Sequence, residues 1–431
     1  MQKIRIGLLG LGQIGSGVYS LLTSKRDYFA REVGVRFEIK GIAVKHAHKK
    51  RGIRVPKSLL TTDSLALVKH PSLDVVVELI GGTTEARRLV LEALRHGKHV
   101  VTANKALLAE HGDEIFELAS RKKRWIFFEA SVGGGIPVIK ALREGLVANR
   151  VESIHSIING TSNYILTRMS ESKSDFMEAL KEAQKKGYAE ADPRLDIEGI
   201  DAAHKLAILV RLAFGGKVRF DDIYSEGISR IRSEDIAFAE EFGYRIKLLA
   251  IAKRSSSGIE ARVQPTLLPS SHILANVNGS YNAVLMKGDE VGDVLFYGRG
   301  AGARPTASAV LADLVDIAKL QTGRFDDTAL KMRAIGPALA IKNISTILSR
   351  YYLRFHVVDR PGVLSKISAV LGAHHISISD VIQKERSQGS VVPLILLTHD
   401  AHERDVRNAM RAIDGLRIVR GKSQVIRIEN G

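Results

Sequence analysis

Two lysines and a nearby group of carboxylates are the side chains in this sequence best suited to chemistry. Lys205 lies in an apolar helical pattern at 199–209, four residues after Asp201, so the two side chains share one helix face. Lys105 ends the segment Thr102-Ala103-Asn104-Lys105, which follows a predicted strand. A desolvated lysine can donate a proton to the alkoxide that forms when an aldehyde is reduced. The alternative is a simple helix ion pair between Asp201 and Lys205, worth about 0.2–0.5 kcal/mol.

An acidic loop precedes this lysine helix. Glu190 and Asp192 lie in the stretch Gly187-Tyr188-Ala189-Glu190-Ala191-Asp192-Pro193, and Asp196 follows three residues later. The ammonium group of an amino-acid substrate needs carboxylate partners of this kind. The setting therefore favours a chemical role for Lys205 over a structural ion pair.

A glycine-rich turn near the start of the chain has the spacing of a dinucleotide site. Gly10-Leu11-Gly12-Gln13-Ile14-Gly15 lies between a predicted strand and a predicted helix. The first glycine allows a tight turn, the second lets the backbone approach a pyrophosphate, and the third lets helix and strand pack closely. The helix N-terminus then faces the anion. An ordinary glycine turn is the alternative, and the strand and helix on either side favour the cofactor.

The end of the second predicted strand, 37–44, bears on the choice of cofactor. An acidic residue there would bind a ribose 2′-hydroxyl, whereas this chain places Lys45 at that point. A cation suits a 2′-phosphate, so we expect NADP, with NAD as the alternative. A solvated basic loop is the structural explanation for the same residue.

The elements around these residues predict an α/β architecture of three domains. Short apolar strands alternate with helices in the first third, which predicts a Rossmann-like, doubly wound parallel sheet. A domain of α+β type with longer helices and alternating strands follows, and a helix at 306–320 is predicted to pack back on the first domain. The predicted boundaries are 1–132, completed by about 301–325, then 133–300, a connecting segment at 326–350, and 351–431.

The last 81 residues read as an independent folding unit. Their pattern is βαββαβ, which predicts a ferredoxin-like sandwich. The predicted elements are strand 352–358, helix 362–373, strands 376–383 and 390–397, helix 401–413 and strand 417–427.

Composition excludes several other classes of protein. The 431 residues contain no cysteine, so disulfides and thiolate chemistry are ruled out. No apolar run reaches the ~18 residues that span a bilayer, and the N-terminus has no signal-peptide pattern, so we expect a cytoplasmic protein with no membrane partner. The net charge of +17 is spread along the chain without a nucleic-acid motif, so no nucleic-acid partner is expected.

Taken together, these motifs resemble the homoserine dehydrogenases that carry a C-terminal ACT domain. The resemblance covers nearly the whole chain, and its motifs, in this order, are specific. The matching stretches are 7–17, 102–105, 129–137, 159–166, 187–193, 201–205 and 300–310.

The resemblance implies an oxidoreductase of threonine and methionine biosynthesis, in which residues 133–300 form the substrate-binding and dimerisation domain. It would reversibly reduce L-aspartate 4-semialdehyde to L-homoserine with NAD(P)H, with Lys205 as proton donor and Lys105 beside substrate and nicotinamide. The residues implied for the substrate are Gly160, Thr161, Tyr188, Glu190, Asp196, Asp201 and Lys205. Those implied for the cofactor are Gly10, Gly12, Gln13, Ile14, Gly15, Lys45, Thr102, Lys105 and Gly302. Family members often have arginine where this chain has Lys45, which keeps the charge but loses the planar fork.

The resemblance also implies a monovalent cation, Na⁺, near the domain junction. Its ligands would be the Glu129 carboxylate and the carbonyl oxygens of Val132, Gly134 and Ile136. Oxygen ligands suit a hard cation. A plain hinge turn is the alternative for this glycine-rich stretch.

The C-terminal unit would bind an amino-acid effector and make the enzyme allosteric. Asp359-Arg360-Pro361-Gly362-Val363-Leu364 looks like the ACT signature, and the helix N-terminus at Asp359, Gly362 and Val363 can receive a carboxylate. The resemblance implies feedback inhibition by threonine in a homo-oligomer, a dimer or a tetramer. A dimerisation module without a ligand is the alternative.

Two other functions compete with the one implied by the resemblance. One is a catalytically inactive amino-acid sensor that keeps the fold. The other is a Rossmann dehydrogenase acting on a related aldehyde.

Overall fold

The computed structural model describes residues 2–321, 336–383 and 390–430, and the chain divides into two compact units. The first holds Met1–Ile158, Asp201–Ile223 and Tyr281–Leu339, and the second holds Asn159–Ile200, Tyr224–Ser280 and Ala340–Gly431. The predicted boundaries at 132 and 300 fall inside the first unit and that at 350 inside the second, so the three-domain division stays a prediction. Residues 326–335 of the predicted connecting segment lie outside the described residues.

The first unit is built on a parallel sheet. Its strands are β1 (Gln2–Leu9), β2 (Val35–Ala43), β3 (Leu60–Thr61), β4 (Val75–Glu78), β5 (His99–Thr102) and β6 (Ile126–Phe127). They lie side by side in the order β3-β2-β1-β4-β5-β6, and every pair is parallel. This is the doubly wound arrangement that the alternation of strands and helices predicts, and its ligand edge lies at the carboxyl ends of the strands.

Helices cover this sheet because its strands are apolar on both faces. The helices of the first unit are α1 (Gln13–Ser24), α2 (Arg26–Tyr28), α3 (Ser64–Lys69), α4 (Thr84–Arg95), α5 (Lys105–Arg121), α6 (Val138–Lys140), α10 (Ile200–Phe214) and α12 (Ala303–Gln321). The helix predicted at 306–320 is α12, and its Val310, Leu314 and Ile317 belong to the same core as Val18 and Leu22 of α1. The chain therefore returns to the first helix late in the sequence, as predicted.

Three antiparallel strands complete the first unit. They are β7 (Val151–Ile157), β11 (Tyr281–Gly288) and β12 (Gly292–Arg299). Strand β11 pairs with both of the others, so the order is β12-β11-β7.

The second unit combines helices with a mixed sheet. Its helices are α7 (Gly160–Ser172), α8 (Phe176–Lys185), α9 (Arg194–Ile197), α11 (Ser233–Glu241), α13 (Val363–Ala373) and α14 (Glu403–Asp414). Its strands are β8 (Tyr224–Ser225), β9 (Tyr244–Ser255), β10 (Gly258–Pro269), β13 (Leu348–Val358), β14 (Ile378–Ile382), β15 (Val391–Thr398), β16 (Ala401–His402) and β17 (Gln424–Ile428). The main order is β9-β10-β17-β13-β15-β14.

The C-terminal part has the predicted βαββαβ order, formed by β13, α13, β14, β15, α14 and β17. Alternate residues of β13 point to opposite faces. Leu353 and Phe355 join the core under the two helices. On the other face the buried Arg354 pairs with the buried Asp235 of α11, its Nε lying 2.6 Å from the Asp235 Oδ1.

Most boundaries in this part differ from the prediction by at least one residue, and the first strand begins at Leu348 rather than at 352. Two of the differences have a structural reason. The strand predicted at 417–427 begins only at Gln424, because the chain first turns through Gly421, which has a positive φ of 74°. The helix predicted from 401 begins at Glu403, because Ala401 and His402 pair with the start of β13. The first difference arises from a local turn, and the second arises from strand pairing.

None of the helices in the described ranges is long and apolar enough to cross a membrane.

Candidate active site

The glycine turn of the first unit has the geometry of a pyrophosphate cradle. Gly10 has a φ of 96°, and a Cβ placed there would lie 2.8 Å from the carbonyl oxygen of Leu79. A Cβ on Gly15 would collide with the Gly10 carbonyl, so this glycine lets α1 pack against the turn. A Cβ on Gly12 would meet no atom of the described residues within 4 Å, which leaves open space at the helix N-terminus.

The start of α1 presents its backbone amides without competition. No side chain caps the helix at Gly12, and its first turn, which begins with Gln13 and Ile14, contains no acidic residue. Unsatisfied amides and the helix dipole favour an anion here. The turn therefore fits a dinucleotide, and Gly302, whose φ of 123° makes glycine necessary, precedes α12 in the same unit.

Lys45 lies just beyond the end of β2 and is exposed. Among the described residues it makes no hydrogen bond or ion pair, so its ammonium group is available to a ligand. The loop that follows is ordered by Arg51, which donates to the carbonyl oxygens of His46 at 2.7 Å and Lys49 at 2.9 Å. The sequence indicates a basic loop at this point but does not show that Arg51 organises it.

A carboxylate between two lysines is the main feature of the chemistry. The Lys205 Nζ donates to Asp201 Oδ2 at 2.6 Å, and the Lys105 Nζ lies 2.8 Å from Asp201 Oδ1. The Lys205 Nζ also donates to the carbonyl oxygen of Ile158 at 2.7 Å. Asp201 and Lys205 are both buried, whereas the Lys105 side chain is 42% exposed. The structure thus brings together the three residues predicted to be catalytic.

Electrostatics keep Asp201 charged in this setting. Burial opposes ionisation of its carboxyl group, but the ion pairs with Lys205 and Lys105 outweigh that effect and hold the pKa of Asp201 below its usual range. Each lysine therefore faces a permanent anion. Next to Lys205, His204 stacks on Phe220 with ring centroids 4.4 Å apart, which closes this side of α10.

Lys105 is held by a capped helix N-terminus. The Asn104 side chain accepts a hydrogen bond from the backbone N–H of Leu107 at 3.1 Å and donates to the carbonyl oxygen of Gly82 at 2.7 Å. Thr102, one of the predicted cofactor residues, is buried, and its hydroxyl donates to the Glu78 carboxylate at 2.6 Å. Sequence reasoning missed Asn104 and Glu78 as organising residues.

The predicted substrate residues of the second unit gather at the N-terminus of α7. Asn159 caps this helix by accepting from the Ser162 N–H at 2.8 Å, and its amide nitrogen donates to Asp196 Oδ1 at 2.7 Å. The Thr161 hydroxyl, which follows Gly160, donates to the carbonyl oxygen of Tyr188 at 2.7 Å. The acidic loop is therefore tied to the helix start, and Asn159 is the residue that sequence reasoning missed.

Glu190 lies two residues after Tyr188 and is exposed. Within the described residues its carboxylate makes no hydrogen bond or ion pair. A carboxylate without a partner, next to an ordered loop, is suited to an incoming ammonium group.

The predicted cation ligands lie around a short turn of the first unit. The two Glu129 carboxylate oxygens accept from the backbone amides of Ile139 at 2.9 Å and Lys140 at 2.7 Å, so this side chain caps α6. Burial raises the pKa of Glu129 to about 7. The described residues donate no hydrogen bond to the carbonyl oxygens of Val132 and Gly134, whereas that of Ile136 accepts from Val138 at 2.8 Å.

This turn holds oxygen atoms rather than a conventional cluster of metal-binding side chains. Within the described residues no group of three or more histidine or acidic side chains could hold a metal ion. A cation at this turn would therefore depend on backbone oxygens, and the two carbonyls without a donor fit that requirement.

The predicted effector residues lie at the start of α13. Gly362 is the N-cap and has a φ of 86°, and the buried Val363 begins the helix. The Asp359 N–H donates to the carbonyl oxygen of Ser390 at 2.9 Å, which ties the turn to the start of β15. The arrangement leaves the helix N-terminus without a side-chain cap.

Comparisons with known proteins agree with the geometry. Three family models match the chain. The model described as the NAD binding domain of homoserine dehydrogenase matches residues 10–129. The model described as homoserine dehydrogenase matches residues 137–315, and the ACT domain model matches residues 351–417. A homoserine dehydrogenase of Pseudomonas aeruginosa is 46% identical over 433 residues, which cover 100% of this chain and 99% of the relative.

Solved structures give the same result. The crystal structure of a homoserine dehydrogenase from Thiobacillus denitrificans has a TM-score of 0.93 and 48% identity, covering 100% of this chain and 99% of that one. A hyperthermophilic archaeal homoserine dehydrogenase, solved in complex with NADPH, has a TM-score of 0.62 and 27% identity over 76% of this chain and 99% of its own. Likeness of this extent, over the full length of the chain, shows that the chain belongs to the homoserine dehydrogenases that carry a C-terminal ACT domain.

Proposed function

We propose that Lys205 donates the proton in the reduction of L-aspartate 4-semialdehyde to L-homoserine. The observation that supports this role is the shared Asp201 carboxylate, which holds Lys205 Nζ at 2.6 Å and Lys105 Nζ at 2.8 Å. The chain is an NAD(P)-dependent oxidoreductase of its family, and a nicotinamide cofactor held at the glycine turn would supply the hydride for the carbonyl carbon. Lys205 then transfers a proton to the carbonyl oxygen, which becomes the hydroxyl of homoserine.

The surroundings of Lys205 prepare it for this transfer. Asp201 and the Ile158 carbonyl both accept hydrogen bonds from its ammonium group, and these two contacts orient the Lys205 Nζ. After the transfer the neutral amine keeps these acceptors and is reprotonated from solvent. Lys105 contributes a second positive charge beside the reacting oxygen.

The residues at the start of α7 bind the substrate in this proposal. Glu190 binds the substrate ammonium group, and Asp196 assists, with Tyr188 and the backbone of Gly160 and Thr161 shaping the site. Two observations support this assignment: the exposed Glu190 carboxylate, and the hydrogen bond of Asn159 to Asp196.

NADPH is the cofactor that we propose. The open space at Gly12 and the uncapped start of α1 suit the pyrophosphate, and the exposed Lys45 suits the 2′-phosphate. The archaeal relative solved with NADPH is consistent with this choice.

The first test is NADPH oxidation by the purified full chain with L-aspartate 4-semialdehyde, comparing wild type with Lys205→Ala. We expect kcat to fall by a factor of about 10²–10⁴, because general acid catalysis is lost, while substrate binding measured by calorimetry is retained. Lys217→Ala is a matched control, since it removes a lysine paired with Glu117 at 2.6 Å in the same unit.

The outcomes separate the competing functions. A wild-type chain that does not turn over, with or without threonine and over a range of salt, would favour the inactive sensor. Turnover of related aldehydes in preference to the semialdehyde would favour another Rossmann dehydrogenase. Equal losses in Lys205→Ala and Lys217→Ala would contradict a specific role for Lys205.

A monovalent cation, Na⁺, is also part of the proposal, held by Glu129 and the carbonyl oxygens of Val132, Gly134 and Ile136. Removal of Na⁺ by exchange into a buffer with a large organic cation is expected to lower the thermal unfolding midpoint, with recovery on adding NaCl. Glu129→Gln keeps the size of the side chain and should remove this response. A midpoint that does not depend on Na⁺ would leave the turn as a hinge only.

The ACT module is proposed to bind threonine at Asp359, Gly362 and Val363 and to inhibit the enzyme. The uncapped N-terminus of α13 supports a carboxylate ligand there. We also propose that the chain works in the cytoplasm as a homo-oligomer. Calorimetry with threonine and light scattering test these two points, and binding without inhibition would contradict a regulatory role.

A further inference from the structure

A buried carboxylate at the end of β4 connects two loops of the first unit. The Glu78 side chain is fully buried, and it accepts three hydrogen bonds. They come from the Thr102 hydroxyl at 2.6 Å and from the backbone amides of Ile80 at 2.9 Å and Gly81 at 3.2 Å. A carboxylate without water needs such partners, and here they belong to the segments that follow β4 and β5.

One branch of this network leads to Lys105. The Thr102 oxygen that donates to Glu78 also accepts from the backbone N–H of Asn104 at 3.0 Å. Asn104 caps the helix whose first residue is Lys105. The direction in which Lys105 leaves the sheet is therefore fixed through two hydrogen bonds that end on Glu78.

The other branch leads to the cofactor turn. The loop that Glu78 holds through Ile80 and Gly81 packs against Gly10, where a Cβ would lie 3.1 Å from Ile80 Cγ2. The Gly82 carbonyl of this loop accepts from the Asn104 amide at 2.7 Å, which closes a ring of contacts. A single carboxylate thus orders the loop beside the dinucleotide turn and the start of α5.

We propose that Glu78 is a positioning residue for the reaction: by holding Thr102 and Asn104 it keeps Lys105 against Asp201. This inference rests on the proposed role of Lys105 beside the reacting oxygen. Glu78 itself is buried and touches neither substrate nor cofactor in this proposal.

Glu78→Gln tests the proposal with little change in shape. The glutamine oxygen can still accept from the two backbone amides. Its amide nitrogen is a donor, however, so the Thr102 hydroxyl loses its acceptor. Loss of one buried hydrogen bond of this kind corresponds to about a tenfold fall in kcat. We expect this fall with wild-type Kd for NADPH, measured by calorimetry, because the contacts to the loop beside Gly10 remain.

The chemical reactivity of Lys105 can also be measured directly, without cofactor. Limiting acetylation with mass spectrometry measures the reactivity of Lys105 relative to Lys217, which lies far along the sequence and pairs with Glu117. Glu78→Gln is expected to raise labelling of Lys105 several-fold, since the ion pair with Asp201 is loosened. Thr102→Val cuts the same link while keeping the carboxylate, and should raise labelling in the same way if Glu78→Gln fails to fold.

Asp74→Asn is the matched control at the opposite end of β4. The Asp74 carboxylate also accepts three hydrogen bonds, all from Arg5. We expect Asp74→Asn to lower the unfolding midpoint but to leave kcat and the labelling of Lys105 unchanged. Equal effects of Asp74→Asn and Glu78→Gln on both readouts would reduce Glu78 to a structural residue and overturn the proposal.

A double-mutant cycle separates this inference from the proposed function. In a Lys105→Ala background, Glu78→Gln should have little further effect on kcat, because the residue through which it acts is gone. Fully additive losses would overturn the positioning role. Wild-type kcat in Lys105→Ala alone would instead contradict the proposed role of Lys105.

Discussion

At the scale of single residues, Asp201 determines the charge of the reacting centre. One carboxylate lies between two ammonium groups, so the trio carries one net positive charge in a largely buried setting. Such a charge stabilises an oxygen that becomes negative as hydride arrives. The same trio remains neutral or positive through the whole reaction, which avoids burying a net negative charge beside the alkoxide.

The lowered pKa of Asp201 also fixes its behaviour with pH. Because burial is outweighed by the two lysines, the folded-state pKa lies below that of an unfolded aspartate, about 3.9. Its contribution to stability is therefore fully present above that value and is lost only as pH falls through the lower, folded-state pKa. An acidic limb of kcat near neutral pH must come from another group.

Lys45 carries a prediction about cofactor choice. Lys45→Asp should weaken NADPH binding by about tenfold or more and change NADH binding little, because only the 2′-phosphate loses a partner and gains a repulsive charge. Kd values for both cofactors, measured by calorimetry, check this. Lys49→Asp makes the same charge change four residues later and should alter the NADPH/NADH ratio less. An unchanged ratio of the Kd values for NADPH and NADH in Lys45→Asp would show that Lys45 does not determine the choice of cofactor.

Spacing in the sequence predicts some of these residues and cannot predict others. Asp201 and Lys205 are one helical turn apart, so their pairing follows from local geometry. Glu78 and Thr102 are 24 positions apart and meet only because β4 and β5 are neighbours in the sheet. The available signal was a glutamate at the end of an all-valine strand, where burial requires a partner.

At the scale of elements, periodicity predicts most of the first unit. Strand β5 has the bounds that the sequence predicts, 99–102. Strand β4, predicted at 75–79, ends one residue earlier, and α4, predicted at 85–96, begins and ends one residue earlier. Elements defined by partners rather than by pattern are harder to predict. Strand β8, for example, has only two residues and exists because it pairs with β10.

His99 in β5 predicts how the sheet responds to acid. Its Nδ1 accepts the backbone N–H of Trp125 at 3.1 Å, and burial lowers the pKa of His99 to about 4. An unfolded histidine titrates near 6.5, so between about pH 6.5 and 4 the unfolded chain binds more protons and stability falls as pH falls. We expect a loss of about 2 kcal/mol between pH 7 and 4.5.

His99→Asn checks this assignment, since its amide oxygen can accept from Trp125 but does not titrate. Denaturant unfolding of both proteins at several pH values should give a shallower pH dependence for the variant. Parallel curves for the two proteins would show that other groups control acid stability.

At the scale of the whole molecule, the order of elements was predictable and the pairing of distant strands was not. The βαββαβ pattern predicts the C-terminal module correctly. Nothing in the local sequence indicates that β17 also pairs with β10, which lies about 160 residues earlier in the chain. Long-range pairing of this kind depends on complementary surfaces rather than on periodicity.

Arg427 of β17 predicts a route for regulation within the second unit. Its side chain donates to Glu403 of α14 at 2.8 Å and to Glu226 at 2.7 Å. The segment that carries Glu226 is hydrogen-bonded to the chain just after Asp196, through Ile228 N–H to the Ile197 carbonyl at 2.8 Å. A change in the module can thus reach the proposed substrate loop through consecutive contacts.

Glu226→Gln should therefore weaken the proposed inhibition by threonine while leaving kcat without effector unchanged. The Arg427–Glu403 pair remains, so the module stays folded, but the charged link to the substrate loop is lost. Activity measured over a threonine titration checks this. The control is Glu171→Gln, which removes a surface ion pair with Arg168. An unchanged titration curve for Glu226→Gln, with threonine still bound, would exclude this route.

The position of β17 has a consequence for exchanging modules between proteins. Thr266 and Leu267 of β10 are paired in parallel with Arg427 and Ile428, and the Glu429 N–H donates to the Leu267 carbonyl at 3.0 Å. A chimera that joined residues 1–350 to a foreign sensor would need a final strand that fits beside β10. Without it, β10 would keep an exposed edge, the feature through which sheets aggregate. Replacing the residues after 350 therefore also removes a strand, β17, from the sheet that contains β10. The sensor module cannot be exchanged without providing a substitute for that strand.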